Sequence, residues 1–169
     1  KTDAPTLPSG PSHFSDGCAI FWRTSALRTT AHRAVCYANP EGPPSAATGK
    51  PKRWNQVALV ARLERVEGSG SEGSFLVATT HLKSAKSPAN EARRTTSLRQ
   101  LLAALAGMQQ EHQQGGQPEP VLILGDFNTD PAGRGDAKSG PLTAYAAVRD
   151  ESPSVLEGGV GLKSAYACR

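Results

Sequence analysis

The sequence predicts an α/β or α+β layered domain, on three observations. Residues 121–124 are four apolar residues in a row, closed by Gly125, and read as a short, fully buried strand. Residues 54–66 alternate, with Val57, Leu59, Ala61 and Leu63 on one side and mostly polar residues on the other; residues 74–80 form a partner strand across a hairpin-like loop at 67–73. Between these strands Leu98, Leu101, Leu102, Leu105 and Met108 recur at the spacing of one helix face. Strand, hairpin, helix, strand and helix in that order place helices in a layer against sheet.

The rest of the chain fills in around these elements. Residues 1–15 hold three prolines among Ser and Thr and read as a disordered tail or linker. Asp16-Gly17 is a turn signal, and residues 18–22 suit a buried strand, with Arg23 after it either solvated or facing a phosphate. A short strand is expected at 34–37. Residues 38–53 are rich in Pro, Gly, Ala and Ser and read as a flexible insertion, its Lys50, Lys52 and Arg53 as a solvated basic end. Ser87-Pro88 reads as a helix N-cap followed by proline in the first helical position. Residues 111–120 break that helix, and Asp130-Pro131 ends the element that starts at Val121. A short helix is expected over 141–148, a loop over 150–161, and a further element over 162–168.

Composition sets the bounds. A chain of 169 residues is long enough for one domain with a sizeable core, and 37% hydrophobic residues with 17 Gly and 13 Pro point to ordered strands separated by long polar loops. A net charge of +4 and a pI near 9.2 favour a phosphorylated or polyanionic partner. Cys18, Cys36 and Cys168 are odd in number and scattered, which argues against a disulfide framework and for a reducing compartment, so the expected location is intracellular, cytoplasmic or mitochondrial. No apolar run reaches transmembrane length, and nothing implies an oligomer. The chain begins at Lys1 and not at a methionine, so the true amino terminus is expected upstream. Three motif classes are excluded: no GxxxxGK[ST] phosphate loop is present, no pair of His or Cys has zinc spacing, and Arg134-Gly135-Asp136 is a three-letter coincidence without a secretory signal.

The chemistry concentrates in Gly125-Asp126-Phe127-Asn128-Thr129-Asp130-Pro131. Gly125 lets the chain turn and a ligand approach. If the backbone stays extended, Asp126 and Asn128 point to one side and Phe127 to the other. The carboxylate can take a proton from water or hold a cation, and the amide can donate to a phosphoryl oxygen without adding repulsive charge. The alternative is a strand followed by an Asx-turn. His81 sits at the carboxyl end of another predicted strand.

These stretches carry a resemblance. The GDFN string at 125–128 resembles a motif of the endonuclease/exonuclease/phosphatase superfamily, and DGCAIFWR at 16–23, NQVALVARL at 55–63 and VATTHLKS at 77–84 follow that family's order. DGCA with NQVA, and then THLK, resemble the nocturnin/deadenylase-like branch, as does Leu162-Lys163-Ser164-Ala165-Tyr166. The resemblance implies a two-sheet sandwich with flanking helices, DNase I-like and incomplete at both ends, over residues 16–169. It implies a Mg²⁺-dependent phosphoester hydrolase that removes the 2′-phosphate of NADP(H) or degrades poly(A) RNA from its 3′ end. The alternative is a catalytically dead RNA-binding or scaffold module.

In the family pattern Asp126, Asn128 and His81 match catalytic positions, and Asn55 and Lys83 match substrate-binding positions. The resemblance gives His81 the scissile phosphate and Lys83 a phosphate of the substrate. The branch has a basic residue where this chain has Ala85, with Lys86 next to it. Glu91 and Arg94 resemble family positions and read as structural; Ser97 stands where the family has glutamine. The main metal-binding glutamate of the family is expected upstream of residue 1, with Asp126 a further possible ligand, and a late aspartate and histidine are expected after residue 169. The chain is therefore expected to be a fragment, inactive by itself.

Overall fold

A computed structural model describes residues 17–66, 73–112, 118–129, 143–159 and 161–165. The tail at 1–15, the turn residue Asp16, most of the loop at 67–73, Asp130-Pro131, the tripeptide at 134–136 and residues 166–168 lie outside them. The elements are β1 (Leu27–Ala38), β2 (Arg53–Arg65), β3 (Ser74–His81), α1 (Pro88–Gln110), β4 (Val121–Asp126) and α2 (Ala144–Val155), followed by a 3₁₀ turn at Glu157–Gly159. The strands form one sheet in the order β1-β2-β3-β4. The first three make an antiparallel meander, and β4 returns through α1 to lie parallel to β3. Among the described residues this mixed α/β fold has one sheet. No helix among them is long and apolar enough to cross a membrane.

One face of the sheet carries the main core. Ala58 and Val60 of β2, Leu76 and Ala78 of β3, and Val121 and Ile123 of β4 pack under Leu98, Leu101, Leu102, Leu105 and Met108 of α1. Ser87 caps α1, its hydroxyl accepting from the Asn90 amide at 3.1 Å, and Pro88 follows, as expected. Gln100 of α1 holds the end of β1 by accepting from the Ala38 amide at 3.0 Å and donating to its carbonyl at 2.7 Å.

The opposite face corrects three expectations. Residues 18–22 are not a strand, because β1 already occupies the free edge of β2; they cross the outer face, where Ile20 and Trp22 pack on Ala61, Leu63 and Val77 while Phe21 is 93% exposed. β2 is therefore covered on both sides. Its Ala58, Val60 and Arg62 face α1, and Arg62 is buried there by pairing with Glu119 at 2.9 Å and donating to the Met108 carbonyl. Among the described residues β4 is an edge strand and not a fully buried one, with Leu122 and Leu124 about half exposed on the outer face (48% and 49%).

Three other boundaries move. β1 is far longer than 34–37, because pairing with β2 and not its own hydrophobicity defines it. A register shift between Thr29 and Ala31 turns Ala31, Val35 and Tyr37 toward α1 and Leu27 toward the outer face. Ala38 and Arg53 are strand residues, and the loop between them is closed by the Asn39 amide on the Lys52 carbonyl at 3.0 Å and the Ser45 amide on the Lys50 carbonyl at 2.8 Å. Helix α2 runs through the expected loop start at Asp150 despite Pro153. Proline leaves the Arg149 carbonyl without its helical donor, and the Ser152 hydroxyl takes it at 3.0 Å. The further element expected over 162–168 does not begin at 162–164, which lie in no helix or strand, although the Leu162 amide docks on Ser152 Oγ at 2.8 Å.

Two local constraints fix the carboxyl ends of β3 and β4. Gly125 has φ +136°, and a Cβ there would lie 1.8 Å from the Thr80 carbonyl oxygen. The glycine is required for close approach to β3, not for a ligand. Glu91 and Arg94, one turn apart on α1, form an ion pair that is almost fully buried, at 3% and 1% exposure. Arg94 also donates to the carbonyls of Lys83 at 2.6 Å and Ala85 at 3.1 Å. The other Glu91 oxygen accepts from the Thr129 hydroxyl at 2.6 Å and from the Ala144 amide at the start of α2. One pair thus ties together the segments after β3 and β4 and before α2.

Gly125→Ala is expected to cost about 2–4 kcal/mol in denaturant unfolding, whereas Gly107→Ala, whose Cβ meets only the tip of Arg33 at 3.3 Å, gains up to about 1 kcal/mol. Equal effects at the two glycines would refute the close-approach argument. For Glu91, burial raises the pKa, but hydrogen bonds from Thr129, Ala144 and Arg94 outweigh it, and the carboxyl is held below the usual glutamate range. A depressed folded pKa contributes stability that is present above the unfolded value of about 4.3 and is lost as pH falls through the folded one. Wild type is expected to lose stability across that acid window, and Glu91→Gln to be less stable at pH 7 with a flatter acid limb. Parallel stability–pH curves for the two proteins would contradict this.

Candidate active site

Parallel pairing sets Thr80 beside Gly125 and His81 beside Asp126, so both strands end at one place. In open α/β sheets the crevice outside the carboxyl ends of parallel strands is where ligands bind. His81 Nε2 and Asp126 Oδ2 lie 4.0 Å apart, and both side chains are mostly exposed. That distance is too long for a hydrogen bond and leaves room for an oxygen that both groups touch. Alternation along β3 puts Thr80 and Leu82 toward α1 and His81 toward the outer face.

The turn after Asp126 is an Asx-turn and not an extended continuation. Asn128 has φ +51°, a conformation asparagine tolerates, and its amide donates to Asp126 Oδ1 at 2.9 Å. Its side-chain Nδ2 donates to the Leu82 carbonyl at 3.0 Å, while the Leu82 amide donates to the Asp126 carbonyl at 2.9 Å. The expectation that Asp126 and Asn128 project together from an extended chain is thereby corrected. Asn128 locks the ends of β3 and β4 and fixes one oxygen of Asp126, leaving the other toward His81.

Asn55 and Lys83 arrive from the other side of His81. With Ala58 paired to Thr80, the antiparallel register carried on by three residues sets Asn55 across from Lys83. Together with Gly17, Cys18, Gln56, Val57, His81, Leu82 and Ser84 they line a cleft of about 230 Å³. Burial pushes the Cys18 thiol up, against a backbone hydrogen bond at His81 that lowers it, so it stands there as a neutral thiol and not as a nucleophile. Thr80 Oγ1 donates to the Val57 carbonyl at 3.0 Å and accepts from the Tyr37 hydroxyl at 2.9 Å, which steadies the floor beneath. The structure thus brings His81, Asn55 and Lys83 to one cleft, and stands Asp126 and Asn128 beside it.

Some neighbours were not singled out in the sequence. Arg93 stacks on the Trp54 ring, 4.6 Å from its centroid, and its Nη2 donates to Gln56 Oε1 at 2.6 Å. The Trp-Asn-Gln string at 54–56 and the Arg93-Arg94 pair were the available signals. The chain does turn after Ser84, with Ala85 at φ +70°, yet Lys86 does not line this cleft and does not replace a basic residue at 85.

No family model matches the chain. It is 32% identical to nocturnin from Drosophila melanogaster over 135 residues, which are 78% of this chain and 17% of that protein. Its fold matches the human nocturnin catalytic domain, solved with a bound sulfate anion, with a TM-score of 0.51 and 21% identity over 77% of this chain and 37% of that domain. The chain therefore spans well under half of the proteins it matches. Sequence relative and fold agree: the chain is a nocturnin homologue and belongs to the endonuclease/exonuclease/phosphatase superfamily, of whose domain it carries a part.

Proposed function

We propose that this chain carries the phosphate-facing half of a phosphoester hydrolase centre. The observation that carries the reading is the meeting of His81 and Asp126 at the parallel strand ends, 4.0 Å apart and open to solvent, next to a cleft edged by Asn55 and Lys83. Asp126 Oδ2 accepts the proton of an attacking water or holds a cation; its Oδ1 is already engaged, which fixes its direction. His81 donates to a phosphoryl oxygen as negative charge builds on it. Asn55 adds a neutral donor, and Lys83 holds an adjacent anionic group as a compact charge on a long stem. The role given to Asn128 from sequence changes: it acts through Asp126, as a positioning residue.

Mg²⁺ is the cation this chemistry calls for, neutralising the phosphate and orienting water when bound. Asp126 offers one carboxylate to it. Among the described residues no group of three or more His, Cys, Asp and Glu is placed to hold a metal ion, so these side chains do not by themselves fit a Mg²⁺ site.

Two substrates suit the reading: the 2′-phosphate of NADP(H) and the 3′ end of poly(A) RNA. The His-Leu-Lys string at 81–83, by its resemblance to the nocturnin-like pattern, favours the dinucleotide; Ala85 removes one basic contact from it. Turnover of NADP and of oligo(A) by the intact gene product tests this. Asp126→Asn and His81→Ala are expected to lower kcat on the order of a hundredfold with circular dichroism unchanged. Lys83→Ala is expected to act mainly on KM. Near-parental kcat in either of the first two variants would remove that residue from the chemistry. An intact product that binds RNA and hydrolyses neither compound would instead favour a binding module.

A further inference from the structure

Beneath His81 the core is polar where apolar side chains of the same shape would fit. Tyr37 and Thr80 are fully buried, at 0% and 1% exposure. Phe and Val in their places would fill that space with no polar atom to satisfy, so the hydroxyls are there for the bonds they make. Burial pushes the Tyr37 phenol up, outweighing its bond with Thr80, and it stays protonated. Thr80 gives its one hydroxyl proton to the Val57 carbonyl, which leaves Tyr37 as the donor to Thr80. From the outer face the Cys18 thiol donates to the same carbonyl at 3.5 Å, and its sulfur accepts from the His81 amide. Thr80 and Cys18 thus meet on Val57 from opposite faces of the sheet. The β2–β3 register ends at Ala58 and Thr80, one residue short of His81, while on its other side His81 is paired with Asp126. Side chains take hold of His81 where the ladder to β2 gives out.

We propose that Tyr37, Thr80 and Cys18 are positioning residues for His81. They form one hydrogen-bonded relay through the sheet, from the buried phenol to the histidine backbone, that holds the imidazole at Asp126. What His81 is held for rests on the phosphoester reading above; the hold itself does not. Linked hydrogen bonds in a low-dielectric interior polarise one another, so a break at any link loosens the end of the relay. A donor aimed at a phosphoryl oxygen tolerates little displacement, and slack in His81 lowers kcat while KM stays with Asn55 and Lys83.

The test is hydrogen exchange of the His81 amide in the 169-residue chain, read by NMR, with kcat and KM of the intact gene product on NADP and oligo(A) beside it. Thr80→Val keeps the shape and loses the hydroxyl; Thr80→Ser does the reverse. Thr80→Val is expected to speed exchange at His81 roughly tenfold relative to the amides of β1, about the worth of one hydrogen bond. It is expected to lower kcat by a similar factor, with KM changed less than about twofold, whereas Thr80→Ser keeps most of both. Tyr37→Phe, at a residue that does not line the cleft, is expected to move both readouts in the direction of Thr80→Val. Cys18→Ala and Cys18→Ser are expected to divide as Thr80→Val and Thr80→Ser do. Cys18 is only partly buried, so that pair decides the matter if the buried variants do not fold. A packing role would invert the order, with Thr80→Val milder than Thr80→Ser, and would overturn the proposal. Equal effects of the two Cys18 variants would overturn it too, as would exchange that rises alike at every amide, or faster exchange at His81 in an active product whose kcat does not change. Exchange that responds as expected, with no hydrolysis of either compound by the intact gene product, would refute the hydrolase and keep the relay. Hydrolysis with neither readout responding would do the reverse.

Discussion

The buried pair of Glu91 and Arg94 is the interaction on which the arrangement depends. An ion pair in the interior is retained only where hydrogen bonds satisfy its remaining oxygens and N–H groups, because desolvation otherwise outweighs the Coulombic gain. Here they are spent on backbone: Arg94 on the carbonyls of Lys83 and Ala85, Glu91 on Thr129 and the first amide of α2. Apart from the start of α2, these segments have no regular element of their own to hold them. The pair substitutes for secondary structure at the place where the strands end.

The site built on this frame is asymmetric. On the β4 side, Asp126 is aimed by its own turn, and Asn128 closes that turn onto Leu82. On the β2 side, the groups are cationic or neutral and hold no carboxylate. Among the described residues Asp126 thus stands as an exposed acid facing a positive surface, with His81 at the boundary. This division suits an anion whose charge must be bound on one side and whose bond must be attacked from the other.

Much of this was legible in the sequence, for identifiable reasons. The helix cap at Ser87, the leucine face of α1 and the β2–β3 hairpin are local signals, set by spacing and turn chemistry. His81, Asp126, Asn55 and Lys83 could be singled out because each lies in a short string near a strand end, and the fold brings them close to one another. What was not readable depends on contacts between distant segments. Residues 18–22 look like a strand, and only the occupied edge of β2 makes them a cover. Arg62 reads as a solvent-facing position until Glu119, 57 residues later, is placed against it. The conformation of Asn128 follows from the Leu82 carbonyl, which no local pattern announces. The basic end of the 38–53 segment is exposed, as read, but only the closed loop sets it in one cleft with Arg93.

The parallel pairing of β3 with β4 also dictates when the site comes into being. The β1–β2–β3 meander joins neighbours in sequence and can form early, since each loop it closes is short. Strand β4 docks only after the chain has travelled the full length of α1 and back, so its pairing is among the least local of the sheet. His81 and Asp126 sit on opposite sides of that last seam. A folding chain therefore displays its histidine before its aspartate. Any fluctuation that peels the edge strand away dissolves the centre while the hairpin beneath survives.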